Sequence, residues 1–423
     1  MQYRRRVLDD QLDELMTGVA ALEIVGPRAV GKTETASARA RTVFRLDDPG
    51  TRAIIEGDPE RLVRSPRPVL IDEWQRMPSS WDLVRRAVDA DRSPGQFLLT
   101  GSASPASPPT HTGAGRIVSL RMRPMTLMER GIASPSVSLA ALLRGEAERV
   151  AGTTGVGLDE YARQMLASGL PGLLGLSDRS TRAELDGYLS RVIDRDLADA
   201  ALPVRNAPAL RRWMEAYAAA ISTTTSLAKI REAAGGGRSD QPSRPTAARY
   251  ADILESLWLV EPVQGWRPTG TDLARLGLAP KHQLADPALA ARLRRVTIDA
   301  LLRGDKPGSL NGRHGTLLGA LFESLVTLDV RVYAQAAEAD VFHYREYGGD
   351  HEIDLIVEGA DRRVLAIEVK LAAVIDDEDV RHLAWLRDRL GRDRVEAVIV
   401  TTGREAYRRR DGIAVVPAAL LGA

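Results

Sequence analysis

The sequence of 423 residues contains no cysteine. Disulfides, zinc sites with thiolate ligands and cysteine nucleophiles are therefore excluded, and this suits the reducing cytoplasm, where we expect the protein to act. No apolar run reaches the roughly 18 residues that a membrane-spanning helix needs, so we expect no membrane span. The first residues, Met1–Arg6, lack the apolar stretch of a signal peptide.

An excess of charge of one sign is also missing. The chain has 58 lysine plus arginine residues against 57 acidic ones, for a formal net charge of +1. Contact with nucleic acid would therefore depend on local arginine patches. Lysine itself is scarce, since only five of the 58 basic residues are lysine: Lys32, Lys229, Lys281, Lys306 and Lys370. A lysine kept in such a chain indicates a position where a compact point charge serves better than a planar guanidinium group.

The clearest motif is a phosphate-binding loop. The pattern G-x-x-x-x-G-K-[ST] is matched in full by Gly26, Pro27, Arg28, Ala29, Val30, Gly31, Lys32 and Thr33. An apolar segment, Leu22–Val25, precedes it and a predicted helix follows, which argues against a chance Gly-rich turn. Backbone N–H groups and the helix N-terminus would bind phosphate. Lys32 would contact the β- and γ-phosphates of ATP, and Thr33 would bind Mg²⁺.

Two further apolar segments end in polar residues that suit the same chemistry. One ends in Asp72, which would hold Mg²⁺, and Glu73, which would polarise the attacking water as a general base. The other is Phe97–Ser102, in which Thr100 or Ser102 would contact the γ-phosphate or that water. The alternatives are an acidic helix cap and a simple turn. Buried parallel strands with helices between them would gather these ends at one edge of a sheet, which predicts an α/β fold.

The order of these motifs resembles a family of bacterial and archaeal AAA-type ATPases. The segments that carry the resemblance are the phosphate loop, Val69–Gln75, Leu99–Ser102, Gly115-Arg116 and Met122–Met125. The resemblance covers nearly the whole chain, and in that family the ATPase precedes a C-terminal domain of unknown function. It implies that Ser102 is a sensor and that Arg116 is an arginine finger acting on a neighbouring subunit of a homo-oligomer, for which AAA-type proteins suggest a hexamer. A solvated surface arginine is the alternative for Arg116.

The middle of the sequence is mostly helical. Residues 136–205 resemble the lid and linker of the same family. Within residues 206–300, three helices and a strand follow in the order of a winged helix-turn-helix: Leu210–Ala219, Leu227–Ala233, Thr246–Trp258 and Leu259–Val263. In such a module Arg244 and Arg249 would face a DNA backbone. A helical packing unit without DNA contact is the alternative, because the loop before the third helix is longer than a tight turn.

The C-terminal region carries a second candidate site. A predicted helix with Glu323 in an apolar setting is followed by predicted strands that contain Asp354 and the pair Glu368 and Lys370. Glu368 and Lys370 share one face of their strand, because side chains two residues apart point to the same side. The three carboxylates are hard oxygen ligands suited to Mg²⁺, and their mutual repulsion without a cation favours a metal.

This pattern resembles the nuclease superfamily named for its Asp, Asp-or-Glu, x, Lys motif (PD-(D/E)XK). The resemblance implies that Glu323, Asp354 and Glu368 bind Mg²⁺ or Mn²⁺ and that Lys370 positions or deprotonates the attacking water. Two alternatives remain open. Lys370 would form an ordinary salt bridge with Asp354 or Glu368, or the nuclease fold would have lost its activity.

Together the motifs predict four domains. These are an AAA-type ATPase (1–135), a helical lid and linker (136–205), a winged-helix-like domain (206–300) and a nuclease-like α/β domain of the restriction-endonuclease kind (301–423). The predicted function is ATP hydrolysis coupled to a Mg²⁺-dependent DNA nuclease in DNA processing, repair or translocation, with ATP and Mg²⁺ as cofactors and DNA as the partner. The alternative is an ATP-dependent switch or DNA-binding protein whose nuclease-like domain is inactive. A metabolic kinase fits less well, since Glu73 follows Asp72.

Overall fold

A parallel sheet of five strands forms the N-terminal part of the computed structural model. The strands are β1 (Ala21–Val25), β2 (Thr42–Arg45), β3 (Val69–Asp72), β4 (Phe97–Gly101) and β5 (Ile117–Arg121). Their order across the sheet is β2-β3-β4-β1-β5, and neighbours run parallel. β3 and β4 are buried at every position, as their near-continuous apolar runs predict for strands covered on both faces. The predicted α/β class is confirmed for this part of the chain.

The structure describes residues 3–101, 113–147, 149–193, 206–235, 241–267, 278–303, 314–346, 350–391 and 393–423. The helices beside the parallel sheet are α1 (Val7–Leu15), α2 (Lys32–Ser37), α3 (Pro49–Gly57), α4 (Arg61–Arg64) and α5 (Ser79–Ala90). Alternating strand side chains separate into two cores. Leu70 belongs to the core that includes Leu12 of α1, and Ile71 belongs to the core that includes Val84 of α5. Because a hydrophobic core covers each face of the parallel sheet, the positions at which its strands end are fixed.

The described residues from 139 to 303 are mainly helical. Their helices are α6 (Leu139–Arg144), α7 (Leu158–Ala167), α8 (Asp178–Arg191), α9 (Ala207–Ala219), α10 (Leu227–Ala234), α11 (Arg244–Ser256), α12 (Pro287–Leu293) and α13 (Ile298–Arg303). The three helices predicted within 206–300 are confirmed as α9, α10 and α11. After α11, Val260 forms an antiparallel bridge with Leu284, and Val263 forms one with Lys281. The winged-helix assignment itself stays a prediction.

The C-terminal region contains a long helix and a second sheet. The helices are α14 (His314–Ala336) and α15 (Arg381–Leu390). The strands outside the parallel sheet, three of which precede the C-terminal region, are β6 (Val137–Ser138), β7 (Gly152–Thr153), β8 (Gln264–Gly265), β9 (Asp340–Arg345), β10 (Glu352–Glu358), β11 (Val364–Lys370), β12 (Val395–Thr401), β13 (Glu405–Arg408), β14 (Ala414–Pro417) and β15 (Leu421–Gly422). Eight of them form one mixed sheet in the order β7-β13-β14-β12-β11-β10-β9-β8. No helix in the described ranges is long and apolar enough to cross a membrane.

The second sheet extends beyond residues 301–423. Its edge strand β7 lies in the segment predicted as lid and linker, and its other edge strand β8 lies in the segment predicted as winged helix. The short strand β6 also pairs with β15 near the end of the chain. One buried core continues from Val7 through the middle helices to Leu421. The middle and C-terminal regions therefore pack together, which places residues of the middle region next to the second candidate site.

Candidate functional site

The phosphate loop forms the turn from β1 into α2, at the edge where the parallel strands end. Gly26 has a φ of +148°, and a Cβ atom there would lie 2.1 Å from the carbonyl oxygen of Met122. Gly31, which caps α2, has a φ of +102°. Both positions need glycine, because a side chain would clash at the first and strain the backbone at the second. The observed strand, turn and helix are the context that the motif requires.

Lys32 begins α2, and its side chain lies along the loop. The residue is 5% exposed, and its Nζ atom donates hydrogen bonds to the carbonyl oxygens of Gly26 at 2.9 Å and Pro27 at 2.8 Å. Burial lowers the pKa of Lys32 to about 8, although the charges of Glu73 and Asp72 oppose this shift. A cation held in a poorly solvated place interacts strongly with an anion, which suits the predicted contact with phosphate.

The carboxylate of Asp72 lies beside the hydroxyl group of Thr33. The Oγ1 atom of Thr33 donates a hydrogen bond to Asp72 Oδ1 at 2.8 Å, and Thr100 donates to the same oxygen. A hydroxyl and a carboxylate in contact at the end of a phosphate loop are hard oxygen donors, so these residues fit the Mg²⁺ ion that accompanies ATP. Thr100 was predicted to contact the γ-phosphate or water, and here it orients Asp72.

Glu73 follows β3 in the left-handed region, with φ of 54° and ψ of 46°. This conformation costs a non-glycine residue about 1–3 kcal/mol, and such strain is commonly found at functional sites. Gln75 donates a hydrogen bond through its Nε2 atom to Glu73 Oε2 at 2.6 Å. The sharp turn and this hydrogen bond together fix the position of the carboxylate.

A cavity of about 970 Å³ opens beside the loop. Lys32, Thr33, Asp72 and Glu73 all line it. Its volume is near the upper end of the range for small-molecule and cofactor sites, which is about 300–1,000 Å³. The structure therefore brings together the predicted phosphate, magnesium and water-activating residues around one space.

One wall of this cavity comes from the segment that the sequence assigned to a lid and linker. The residues are Leu170, Pro171, Gly172, Leu173, Leu174, Glu184, Tyr188 and Arg191. A Cβ atom at Gly169 would lie 2.6 Å from the carbonyl oxygen of Met125, so this glycine allows the lid to approach the ATPase closely. Tyr188 adds an aromatic side chain and Arg191 a positive charge to a site for an anionic, aromatic ligand. The sequence contains a glycine–proline stop at 169–172, which indicates the end of a helix but does not show what the segment packs against.

The two remaining predicted residues of the ATPase site are Arg116 and Ser102. Arg116 precedes β5, whose first residue pairs with the first residue of β1. It therefore lies where these parallel strands begin, whereas the phosphate loop lies where β1 ends. Its Nε atom is 2.8 Å from Asp89 Oδ1. Within one chain, Arg116 is therefore not brought to the cavity, and its action on a neighbouring subunit stays a prediction. Ser102 lies outside the described residues.

In the C-terminal region, the structure brings the predicted acidic residues together around an unexpected partner. The ammonium group of Lys281 lies 2.8 Å from Glu323 Oε1 and 3.0 Å from Asp354 Oδ1. Lys281 is only 1% exposed. Lys370, the predicted catalytic lysine, lies 3.7 Å from Glu368 Oε2. Sequence reasoning noted Lys281 as one of five lysines but gave it no role, because its nearest acidic partners are far away along the chain.

Burial governs protonation in this acidic site. It raises the pKa of Glu323 to about 8, with the charge of Asp354 adding to the effect. Burial and the charge of Asp354 also raise the pKa of Glu368 well above its usual range. For Asp354, burial is outweighed by the charge of Lys281 and by a 3.0 Å hydrogen bond from the N–H of Val369, which lower its pKa. Asp354 is therefore the anion that pairs with Lys281, while burial and the negative charge of Asp354 oppose ionisation of Glu368 and raise its pKa.

The predicted metal centre of Glu323, Asp354 and Glu368 does not fit this geometry. The expectation rested on repulsion among three carboxylates, and Lys281 removes that repulsion by supplying a cation from the protein. Across the described ranges, no group of three or more histidine, aspartate or glutamate residues could hold a metal ion. The ion pair of Lys370 with Glu368 is instead the salt bridge that the sequence left open as an alternative.

A further charged cluster joins the ATPase to the rest of the chain. Glu261 lies among three arginines, at 2.9 Å from Arg121, 2.7 Å from Arg123 and 3.4 Å from Arg331. Burial opposes ionisation of Glu261, but the three guanidinium charges lower its pKa well below the usual range. Arg121 and Arg123 flank Met122, the residue that approaches the phosphate loop. The cluster thus connects the end of β5 with the middle region and with α14.

Comparisons with known proteins find family matches to three stretches of the chain. Residues 20–130 match an AAA domain, residues 158–300 match a domain of unknown function (DUF8612), and residues 318–421 match another (DUF4143). The chain is 25% identical over 434 residues to the uncharacterized proteins Rv2008c of Mycobacterium tuberculosis and Mb2031c of Mycobacterium bovis, covering 99% of this chain and 84% of each relative.

A solved structure, the Walker-type ATPase PABY2304 of Pyrococcus abyssi, is 15% identical, with a TM-score of 0.39, and the match covers 68% of this chain and 94% of that one. The match to the AAA domain spans the phosphate loop, Asp72, Glu73 and β4. Together with the geometry of the cavity, it supports an AAA-type P-loop ATPase.

Proposed function

We propose that the protein is a Mg²⁺-dependent ATPase that works as an ATP-driven switch. The observation that carries this proposal is the convergence of Lys32, Thr33, Asp72 and Glu73 on one cavity. These four residues provide a cation for phosphate, two hard oxygen donors for the metal and a carboxylate beside them. A site that only bound nucleotide would not need the strained placement of Glu73.

The chemistry assigned to each residue follows from its position. Lys32 would leave the loop carbonyl oxygens to bind the β- and γ-phosphates, which accept its hydrogen bonds as stronger, charged acceptors. Thr33 and Asp72 would hold Mg²⁺, which when bound supplies positive charge to the phosphates. Glu73 would accept a proton from the attacking water, with its carboxylate oriented by Gln75.

Glu73→Gln is expected to retain ATP binding and to lower the hydrolysis rate by about 10²- to 10⁴-fold, the usual contribution of general acid–base catalysis. The amide keeps the shape of the side chain but cannot accept the proton. Phosphate release under saturating ATP and equilibrium binding of ATP would be measured together. Glu56→Gln, at an exposed helical position, is the matched control. Normal hydrolysis by Glu73→Gln would remove the general-base assignment.

For the C-terminal region, the geometry favours an inactive nuclease-like site over a metal-dependent nuclease. Lys281 occupies the position between Glu323 and Asp354 that a shared metal ion would need. The nuclease would then not be the output of ATP hydrolysis. We propose that the output is a change in how the middle and C-terminal regions are held, and that Arg116 assists hydrolysis across the interface of a homo-oligomer.

DNA remains our proposed partner, through the middle region. Arg244 and Arg249 are both exposed on α11, where they are free to approach a phosphate backbone. The double substitution Arg244→Glu and Arg249→Glu is expected to weaken DNA binding and to lower the slope of log affinity against log salt by about two, since each arginine that contacts a phosphate releases about one counterion. Fluorescence anisotropy with labelled DNA at several salt concentrations measures both.

The control for this experiment is the double substitution Arg41→Glu and Arg61→Glu, which places the same charge change at exposed positions of the ATPase. It should leave the salt dependence nearly unchanged. Equal effects of the two double variants would show that DNA responds only to net charge. No DNA binding by the unaltered chain would remove DNA as the partner.

A further inference from the structure

We propose that the ammonium group of Lys281 is the resident cation of the acidic site, where it excludes a divalent metal ion and fixes the paired segments 260–263 and 281–284 to the C-terminal sheet. The proposal does not depend on ATP hydrolysis. It explains why a site with the residues of a metal-dependent nuclease lacks the arrangement of one. It also gives a structural role to one of the few lysines in the chain.

The backbone around Lys281 is firmly held. Lys281 and Val263 exchange two hydrogen bonds, both of 2.8 Å. The neighbouring His282 donates its backbone N–H to Thr223 O at 2.9 Å and accepts one from Ser222 N at 2.7 Å. These contacts belong to the middle region. A segment held by backbone hydrogen bonds therefore places Lys281 in the acidic site.

The side chain of Lys281 connects two elements of the C-terminal region. Its Nζ atom contacts Glu323 on α14 and Asp354 on β10, and Glu352 Oε1 lies a little farther away at 3.9 Å. The two short distances are those of charge-assisted hydrogen bonds. Mg²⁺ or Ca²⁺ would need the same carboxylate oxygens at about 2.0–2.6 Å. Two cations cannot share these oxygens closely, because their repulsion in a buried site would be severe.

Glu368 adds a third acidic side chain to the site around Lys281. The residue is 4% exposed, and its side chain shares a hydrogen bond with the side chain of Asp354. Its Oε2 atom lies 3.7 Å from Lys370. Removing the ammonium group of Lys281 would leave three acidic side chains in a buried place without their main cation. Such a site should acquire a cation from solution.

The test is uptake of Mn²⁺ by the full chain without nucleotide, measured by electron paramagnetic resonance and by calorimetry. All proteins carry Asp72→Asn, so that the ATPase site does not contribute. Lys281→Ala is expected to bind one Mn²⁺ per chain at least tenfold more tightly than the parent, and adding Glu368→Gln should abolish this gain. Mn²⁺ should also raise the melting temperature of Lys281→Ala but not that of the parent. Lys229→Ala, at an exposed position, should behave as the parent.

One Mn²⁺ bound per chain by the parent and lost with Glu368→Gln would overturn the proposal, as would a folded Lys281→Ala variant without the gain. If Lys281→Ala does not fold, the parent and its Glu368→Gln variant decide alone. Weak Mn²⁺ uptake that is equal in the parent and in its Glu368→Gln variant supports the proposal. Mn²⁺ uptake by the parent that Glu368→Gln abolishes overturns it. Failure here leaves the ATPase proposal intact, because neither ATP nor turnover enters the measurement.

Discussion

Replacing Lys32 by alanine is expected to lower ATP turnover by about 10²- to 10³-fold, the size of effect seen when a single preorganised group that stabilises transition-state charge is removed. The structure supports a strong effect, because Lys32 is 5% exposed and lines the cavity that Asp72 and Glu73 also line. In hydrolysis, negative charge develops on the phosphates, and no other lysine in the described residues lines this cavity. Phosphate release measures the loss.

The same substitution should not lower stability near neutral pH. Burial lowers the pKa of Lys32 to about 8, below the value of about 10.4 expected for an unfolded chain. The folded state therefore binds fewer protons between these values, so stability rises with pH across that window, and the cost of the buried charge is fully present below pH 8. Alanine removes this cost. Urea unfolding at pH 7 should place the midpoint of Lys32→Ala at or above that of the unaltered chain.

Lys229→Ala is the matched control, since Lys229 is exposed on α10. It should change neither turnover nor stability. Loss of turnover together with a large loss of stability in Lys32→Ala would indicate a structural role for the lysine. Normal turnover would remove the phosphate-loop assignment altogether.

Local geometry explains why the ATPase site could be predicted from sequence. A phosphate loop encodes its own conformation, since glycines at 26 and 31 permit the turn and the next residues begin a helix. Asp72 and Glu73 follow a buried strand, and parallel strands bring such ends to one edge whatever the rest of the chain does. Each of these inferences needs only neighbouring residues and the handedness of parallel sheets.

The parts that sequence reasoning missed depend on contacts between distant segments. Lys281 meets Glu323 and Asp354 only because residues 281–284 pair with 260–263 and the middle region packs on the C-terminal sheet. The spacing of residues within one segment of the sequence does not predict this contact. The metal prediction was reasonable for three carboxylates alone, and it did not fit because the fourth member of the group is a cation from elsewhere in the chain.

The contribution of the lid to the nucleotide cavity was missed for a related reason. The glycine–proline stop at 169–172 predicts where a helix ends, but the sequence could not show that Tyr188 and Arg191 would line the same space as the phosphate loop. Helical periodicity identifies which face of a helix is buried, not the surface it packs against. A charge cluster formed by residues of several regions likewise cannot be predicted from the sequence until the packing of those regions is known.

Glu261 belongs to such a cluster, and Glu261→Gln is expected to destabilise the fold by about 3 kcal/mol, at the lower end of the range for breaking a buried ion pair. The lower end is appropriate because the Glu261 side chain retains 13% exposure. Without its carboxylate, three guanidinium groups would face one another. Burial already lowers the pKa of Arg121 to about 10, which shows how poorly its charge is solvated. Urea unfolding measures the loss, with Glu405→Gln, at an exposed position, as the control.

The pH dependence separates a charge effect from a packing effect. Because the folded-state pKa of Glu261 is depressed, its stabilisation is fully present above the unfolded-state pKa of about 4.3 and declines as pH falls toward the folded-state pKa. The difference in stability between the unaltered chain and Glu261→Gln should therefore be constant from neutral pH down to about pH 5 and become smaller below about pH 4. A difference that stays the same through the acid range would assign the loss to packing. Disappearance of the difference would instead identify the carboxylate charge as the group that holds β5, the middle region and α14 together.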